Sequence, residues 1–410
     1  MLDCCGSHLQ VLSLDDDHVK ADTLAKLFKR SPFLTHLSLS NMLIDTLDCS
    51  WSHLRRSLVW LDLAHINTLS SSASLRSVLM ALPNLRHLAF THNALSARDQ
   101  TETLLALSTL TRLEELEVGN VRNKGKFTIS DALLHLLCLK VVKFTGFPGA
   151  DAKLALALES CVSLQCFSLR NFSDAGCTEE LGRTLRVGAQ LQQLEVTGCI
   201  LGEAQFIALA AGLQHQRALR SLSLANCRAS GAAVERVVSV LAKGLRELDL
   251  AGNSLESGEG LDLPEALGTL TALEKVRLNG IKWTGLDVQR LGTALAGVSS
   301  LALDGTEPQS LLLELIPTLS TLSLCNCSLT DISFTALFPA LLGLRRLQSL
   351  GLDFNKLTNV SLPLLVELCM ERKSYISLRG NSISEADLEA ASADLDISSV
   401  CLLEENLVLR

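Results

Sequence analysis

The sequence predicts an α/β solenoid in which one strand and helix unit is repeated along the chain, and three observations carry that expectation. A leucine pattern returns about every 26 residues, a period that marks repeat architectures. It is cleanest in LRHLAFTHNAL (Leu85 to Leu95), LRELDLAGNSL (Leu245 to Leu255), LSTLSLCNCSL (Leu319 to Leu329) and LQSLGLDFNKL (Leu347 to Leu357). Inside each motif the apolar positions alternate, whereas between motifs they fall at i, i+3, i+4 and i+7. The composition, 48% hydrophobic but only 4% aromatic, suits thin stacked layers better than one thick globular core.

The strand comes first in each unit. Sixteen motifs begin between Leu9 and Ile397, and pairs such as Leu222 with Leu224 or Val142 with Phe144 give the period-2 pattern of a short strand with one buried face. The helix follows. Leu75/Val78/Leu79/Leu82, Phe206/Leu209/Ala210/Leu213, Val234/Val237/Val238/Leu241, Phe334/Leu337/Phe338/Leu341 and Leu362/Leu365/Val366/Cys369 each form a stripe on one helix face. Neither element can bury its apolar face alone, so stacking the units builds a continuous core. Helices on only one side of a parallel sheet, with strands spaced more tightly than helices, predict a horseshoe: parallel strands on the concave face, helices on the convex face. A single elongated domain over residues 1–410, of about sixteen units, is the expected organisation.

These residues resemble the leucine-rich repeats of the ribonuclease-inhibitor type, whose units read LxxLxLxx(N/C)xL followed by a full helix. Asn93, Asn253, Asn355 and Asn381 fit the asparagine form of the ladder position, and Cys199, Cys227 and Cys327 the cysteine form. Elsewhere the slot holds Asp17, Met42, Ile66, Val121, Phe147, Phe172, Ile281, Thr306 or Glu405. A ladder Asn satisfies loop backbone, so its loss predicts differently closed turns, and the motif is least regular from Val121 to Phe172. The resemblance implies a non-enzymatic scaffold or receptor that holds a protein on its concave face. Its alternative is a regulator of an enzyme, either an inhibitor or a GTPase activator similar to the Ran GTPase-activating proteins. That activator family carries a loop arginine and an acidic tail; here the chain ends LLEENLVLR, and Arg98 is a positional match only.

Several classes are disfavoured. No segment reaches 18 uninterrupted apolar residues, so no membrane span is expected, and MLDCCGSHLQ has neither a basic start nor an apolar run. The thirteen cysteines fall on repeat positions rather than in paired caps, which points to thiols in a reducing, cytoplasmic setting. Cys4-Cys5 and Cys325-x-Cys327 are too closely spaced for a usual zinc site. A net charge of −8 without a long basic run argues against nucleic acid, and Arg122, Lys124 and Lys126 read as a solvated loop. There is no GxxxxGK(S/T), HExxH, GxSxG or CxxC, and ESGEGLDLP reads as a loop feeding a helix. Neither catalytic group, metal nor cofactor is expected.

For a binding protein, the outward strand positions carry the information. The column before the second motif leucine runs Val11, His36, Trp60, His87, Glu115, Val141, Cys166, Gln193 and onward to Ser399. The next outward column includes Asp62 and Glu117. His36, Trp60 and His87 are therefore expected as neighbours, with Asp62 beside Trp60, His65 and His92 stacked at the strand exit, and Glu115 and Glu117 following. An exposed Trp with polar flanks is the kind of anchor that dominates interfaces. Unrelated surface residues and a histidine metal site are the competing readings. The acidic flank favours a partner with a basic surface.

A second cluster pairs Glu247 with Lys275, Asp249 with Arg277 and Glu117 with Lys143 across neighbouring strands, which sheet stabilisation alone would explain. Ser221, Ser223, Ala225 and Ser300 leave a shallow floor. Phe144, Phe147, Phe167 and Phe172 read as a spine inside the core. The first motif starts at Leu9, and Leu403, Leu407 and Leu409 stay apolar at the other end. Uncapped ends of this kind predict a longer chain, or association there with a partner or second copy.

Overall fold

A computed structural model describes residues 8–14, 18–44, 47, 50–64, 67–68, 74–90, 97–119, 128–146, 153–171, 182, 185, 191–254, 263–280, 285–306, 316–372, 374–384, 386–387 and 408–409. The chain divides into two compact units, Met1–Ala218 and Leu219–Arg410. In the first, strands Val11–Ser13, His36–Ser38, Trp60–Asp62, His87–Phe90, Glu115–Gly119, Val141–Thr145, Cys166–Arg170 and Gln193–Thr197 pair in sequence order, each parallel to the next. In the second, Ser221–Ser223, Glu247–Asp249, Lys275–Arg277, Ser300–Ala302, Thr321–Ser323, Ser349–Gly351 and Tyr375–Ser377 do the same. The register within each unit is the one the leucine motif predicts: Val11 faces His36, then Trp60, His87, Glu115, Val141, Cys166 and Gln193.

The last rung departs from the sixteen-unit expectation. The other neighbour of Tyr375–Ser377 is Val408–Leu409, which runs antiparallel with Ile376 opposite Leu409. The position beside the fifteenth strand is thus taken by Val408–Leu409 rather than by a parallel strand. Ser399, the expected column member there, lies outside the described residues.

Helices connect the strands, and their starts follow local chemistry. Ser230 accepts from the Ala233 amide at 3.3 Å, and Thr128 and Asp131 form a reciprocal capping box. The predicted stripes are the buried faces: Leu75, Val78, Leu79 and Leu82 are all at most 3% exposed, as are Phe334, Leu337 and Leu341. In helix Leu362–Arg372 the buried residues are Leu362, Leu365, Leu368 and Cys369, while Val366 is half-buried. Phe144 and Phe167 lie in the core edge-to-face, ring centres 6.0 Å apart, as the spine reading requires; Phe147 and Phe172 lie outside the described residues.

The ladder slot explains how the turns close. Asn355 accepts from the Cys327 and Leu329 amides at 2.9 and 3.1 Å and donates to the Leu324 and Leu352 carbonyls at 2.9 and 2.8 Å. Asn253 repeats this set four turns earlier with Cys227, Ala229, Leu224 and Leu250. Each Asn therefore ties its own turn to the preceding one. The cysteine form keeps only the donor role: Cys327 Sγ donates to Leu303 O at 3.3 Å and Cys199 Sγ to Thr197 O at 3.4 Å. Burial pushes the Cys327 thiol up to about 11, which keeps the proton this bond needs.

Where the ladder is apolar, the backbone finds another partner. Past Met42, Leu43–Ile44 pairs with His18–Val19 on one side and Asn67–Thr68 on the other, a second parallel sheet of three short strands. In the least regular stretch the strands lengthen instead, to five residues each from Glu115–Gly119 to Gln193–Thr197. Both devices satisfy backbone groups without a side-chain amide.

The residue before the ladder slot turns the chain through the left-handed region. Among the described residues ten of these are Gly or Asn, from Asn41 and Gly146 to Asn326 and Gly380, as sterics favour. The eleventh is Phe354, at φ 57°.

A carboxylate clamps one helix start to the next. Asp331 accepts from the Thr358 amide at 2.9 Å, the Thr358 hydroxyl at 2.7 Å and the Ser361 hydroxyl at 2.5 Å. Burial works to raise its pKa, but the Ser361 and Thr358 hydrogen bonds outweigh it and hold the carboxyl below its usual range. A lowered folded-state pKa contributes stability above the unfolded pKa that is lost as pH falls through the folded one. Asp331→Ala is expected to cost about 1–2 kcal/mol at neutral pH. In urea melts the gap between variant and wild type should narrow below the ordinary aspartate range; a pH-independent gap would contradict the clamp.

Candidate functional site

The strands of the first unit bring the predicted column together. Trp60 sits between two imidazoles: its ring is 4.6 Å from that of His87 with 10° between planes, and 6.1 Å from that of His36 with 29°. The stack follows from the pairing of His36, Trp60 and His87 across adjacent parallel strands. His36 is exposed, whereas Trp60 and His87 are half-buried.

Hydrogen bonds fix the ends of the stack. His87 Nδ1 is 2.9 Å from Glu115 Oε2, and His36 Nδ1 is 2.9 Å from Thr35 Oγ1. Asp62 Oδ2 accepts from Ser40 Oγ at 2.8 Å, and its Oδ1 accepts from the Ala64 amide at 2.9 Å, so this carboxylate is held by its own and the preceding turn. Glu117 pairs with Lys143 at 3.6 Å as expected. His65 and His92 lie outside the described residues, and no group of three metal-binding side chains occurs among the described residues. Trp51, by contrast, is a core residue: it is 2% exposed, packs 4.8 Å from Phe28, and donates Nε1–H to Leu47 O at 2.8 Å.

One charged constellation was not foreseen. Arg170 makes a bidentate fork to Glu195, Nε to Oε1 at 2.7 Å and Nη2 to Oε2 at 2.8 Å. Ser168 and Thr197 hydroxyls add bonds to the same carboxylate at 3.0 and 3.2 Å. Burial alone would raise the Glu195 pKa; the Arg170 and Ser168 hydrogen bonds prevail and lower it. Arg170 is one alternation beyond the two columns read from the motif, at the end of a lengthened strand, so only the five-residue strand length would have exposed the pair.

In the second unit the predicted pairs form, Glu247 with Lys275 at 2.7 Å and Asp249 with Arg277 at 3.6 Å. A groove of about 520 Å³ between helices Leu263–Gly268 and Gly285–Ala294 is lined by Pro264, Glu265, Gln289, Arg290 and Thr293 and holds no nucleophile and base pair. Arg98, expected in a loop, is in helix Ala97–Leu107, with its side chain outside the described residues.

No protein-family model matches the chain. It is 28% identical over 306 residues to the human "NACHT, LRR and PYD domains-containing protein 12", covering 70% of this chain and 27% of that protein. The Mus musculus protein of the same name is 30% identical over 245 residues, covering 57% of this chain and 22% of that protein. The ribonuclease inhibitor of Sus scrofa is 29% identical over 191 residues, covering 44% and 42%. The chain thus spans between about a fifth and two-fifths of the length of these relatives. Among solved structures, an internalin from Listeria monocytogenes aligns with a TM-score of 0.47 at 16% identity, over 77% of this chain and 86% of that one. Period, strand register and the shared asparagine and cysteine ladder, together with these sequence likenesses, make the repeats of this α/β chain leucine-rich repeats of the ribonuclease-inhibitor-like type.

Proposed function

We propose that the chain is a non-enzymatic scaffold or receptor that binds a protein partner on its strand-lined face, anchored in the first unit by Trp60. The single observation that carries this reading is the stack itself. A large amphipathic ring, partly exposed and held between His36 and His87, can bury area on a partner with little loss of rotamer freedom. Asp62, Glu115 and Glu117 flank it and favour a partner with a basic surface. Ladder cysteines acting as thiol donors support a reducing, cytoplasmic setting.

Affinity capture from native lysate is the test, run with wild type and with Trp60→Ala. Loss of a specific partner, with a binding penalty of about 2 kcal/mol or more for the truncated anchor, is the expected result. The same proteins captured equally well by both chains would sink the choice of patch.

A second reading rests on the likeness to ribonuclease inhibitor: the partner would be an enzyme whose activity the chain suppresses. A ribonuclease activity assay with added chain separates the two. Concentration-dependent inhibition that Trp60→Ala weakens supports the regulator; no inhibition leaves the scaffold reading alone.

A further inference from the structure

The left-handed turn at Phe354 stands apart from the ten that share its position. A bulky aromatic residue at φ 57° is a steric outlier at a position where the other described residues are Gly or Asn. Strain of this kind persists when something else requires the side chain. Phe354 is not spent on the core, since its side chain is 55% exposed.

The surroundings are shaped to hold the ring. Arg379 lies over it, guanidinium carbon 5.6 Å from the ring centre. Gly380 lies beneath: a Cβ there would come within 2.5 Å of Phe354 Cδ1, so a side chain at 380 would displace the ring. Asp353 is turned back into the turn, its Oδ1 accepting the Ser377 hydroxyl at 2.6 Å and the Arg379 amide at 2.8 Å.

The charge on this platform is unmatched. Arg86, Arg170 and Arg277 all have carboxylate partners, whereas Arg379 and the exposed Lys356 have no ion pair among the described residues. A planar guanidinium already oriented on an aromatic face offers its outer N–H groups in the fork that suits a carboxylate.

We infer that Phe354 and Arg379 form a second docking point, in the unit Leu219–Arg410, for a carboxylate-bearing segment of a protein partner: an Asp or Glu set beside an apolar side chain. The carboxylate takes the Arg379 guanidinium, and the apolar neighbour packs on Phe354. This goes beyond the Trp60 reading and does not depend on it, because its residues and the charge it selects are different.

The test uses the full chain and a random dodecapeptide phage library, with counterselection on Phe354→Asn. Because Asn is the residue other turns use here, that variant should melt at or above the wild-type temperature. Retained peptides should be rich in Asp or Glu beside aliphatic or aromatic residues. Their synthetic forms should bind Phe354→Asn and Arg379→Ala at least tenfold more weakly than wild type. Three results would overturn the inference: no peptide retained by wild type and lost by Phe354→Asn, retained peptides without acidic enrichment, or a clearly lower melting temperature for Phe354→Asn.

Discussion

Replacing Asn355 by Ala is expected to destabilise the second unit by about 2–4 kcal/mol. Asn355 is 5% exposed and serves four backbone groups at once. Removing its amide leaves the Cys327 and Leu329 N–H groups and two carbonyls without their partner, each worth about 1–3 kcal/mol if no water reaches it. Three of the four, Leu324, Cys327 and Leu329, belong to the preceding repeat, so the damage should cross the repeat boundary. Hydrogen exchange should show lost protection at Cys327 and Leu329 as well as in the Asn355 turn. Asn355→Cys is expected to fall between, because a thiol replaces a donor but not the carbonyl oxygen that accepts both amides. Protection lost only at residues after 355 would contradict the shared-turn account.

Arg170→Ala should cost about 1–3 kcal/mol at neutral pH, less than a fully buried pair because the Arg170 side chain is 43% exposed. The pH dependence is the sharper test. In the wild type the Glu195 carboxyl is held low, so its contribution is complete above the unfolded pKa and is lost as pH falls through the folded one. Without Arg170, burial is opposed only by the Ser168 and Thr197 hydroxyls, and the folded pKa should rise from its wild-type position. The variant should then lose less stability than the wild type as the solution is made acidic. Arg170→Lys should not restore the wild-type profile, since an ammonium cannot supply the two-pronged contact. Parallel pH profiles for wild type and Arg170→Ala would contradict this.

The columns were legible because a parallel strand stack converts sequence period into spatial adjacency: once each motif leucine is aligned, Trp60 must fall between His36 and His87. Helix stripes were legible for the same reason, with Leu368 replacing Val366 where the helix phase drifts. The Arg170 and Glu195 fork was hidden because the motif alone does not reveal that the strands from Glu115–Gly119 to Gln193–Thr197 run to five residues. Phe354 was not singled out by sequence, because Asp16, His65 and His92 also stand before a ladder slot; it is set apart by its size at a position that the backbone holds at φ 57°. The antiparallel pairing of Val408–Leu409 has no periodic signal, because its direction is opposite to that of every motif strand.

Oxidative footprinting of the tryptophans, with and without the partner recovered by capture, tests the proposed function most directly. Trp51 is an internal control, buried against Phe28 in the same unit, and should stay unmodified throughout. Trp60 should be oxidised in the free chain and protected in the complex. Equal oxidation of Trp60 in both states would show that the stack of His36, Trp60 and His87 is not where the partner sits.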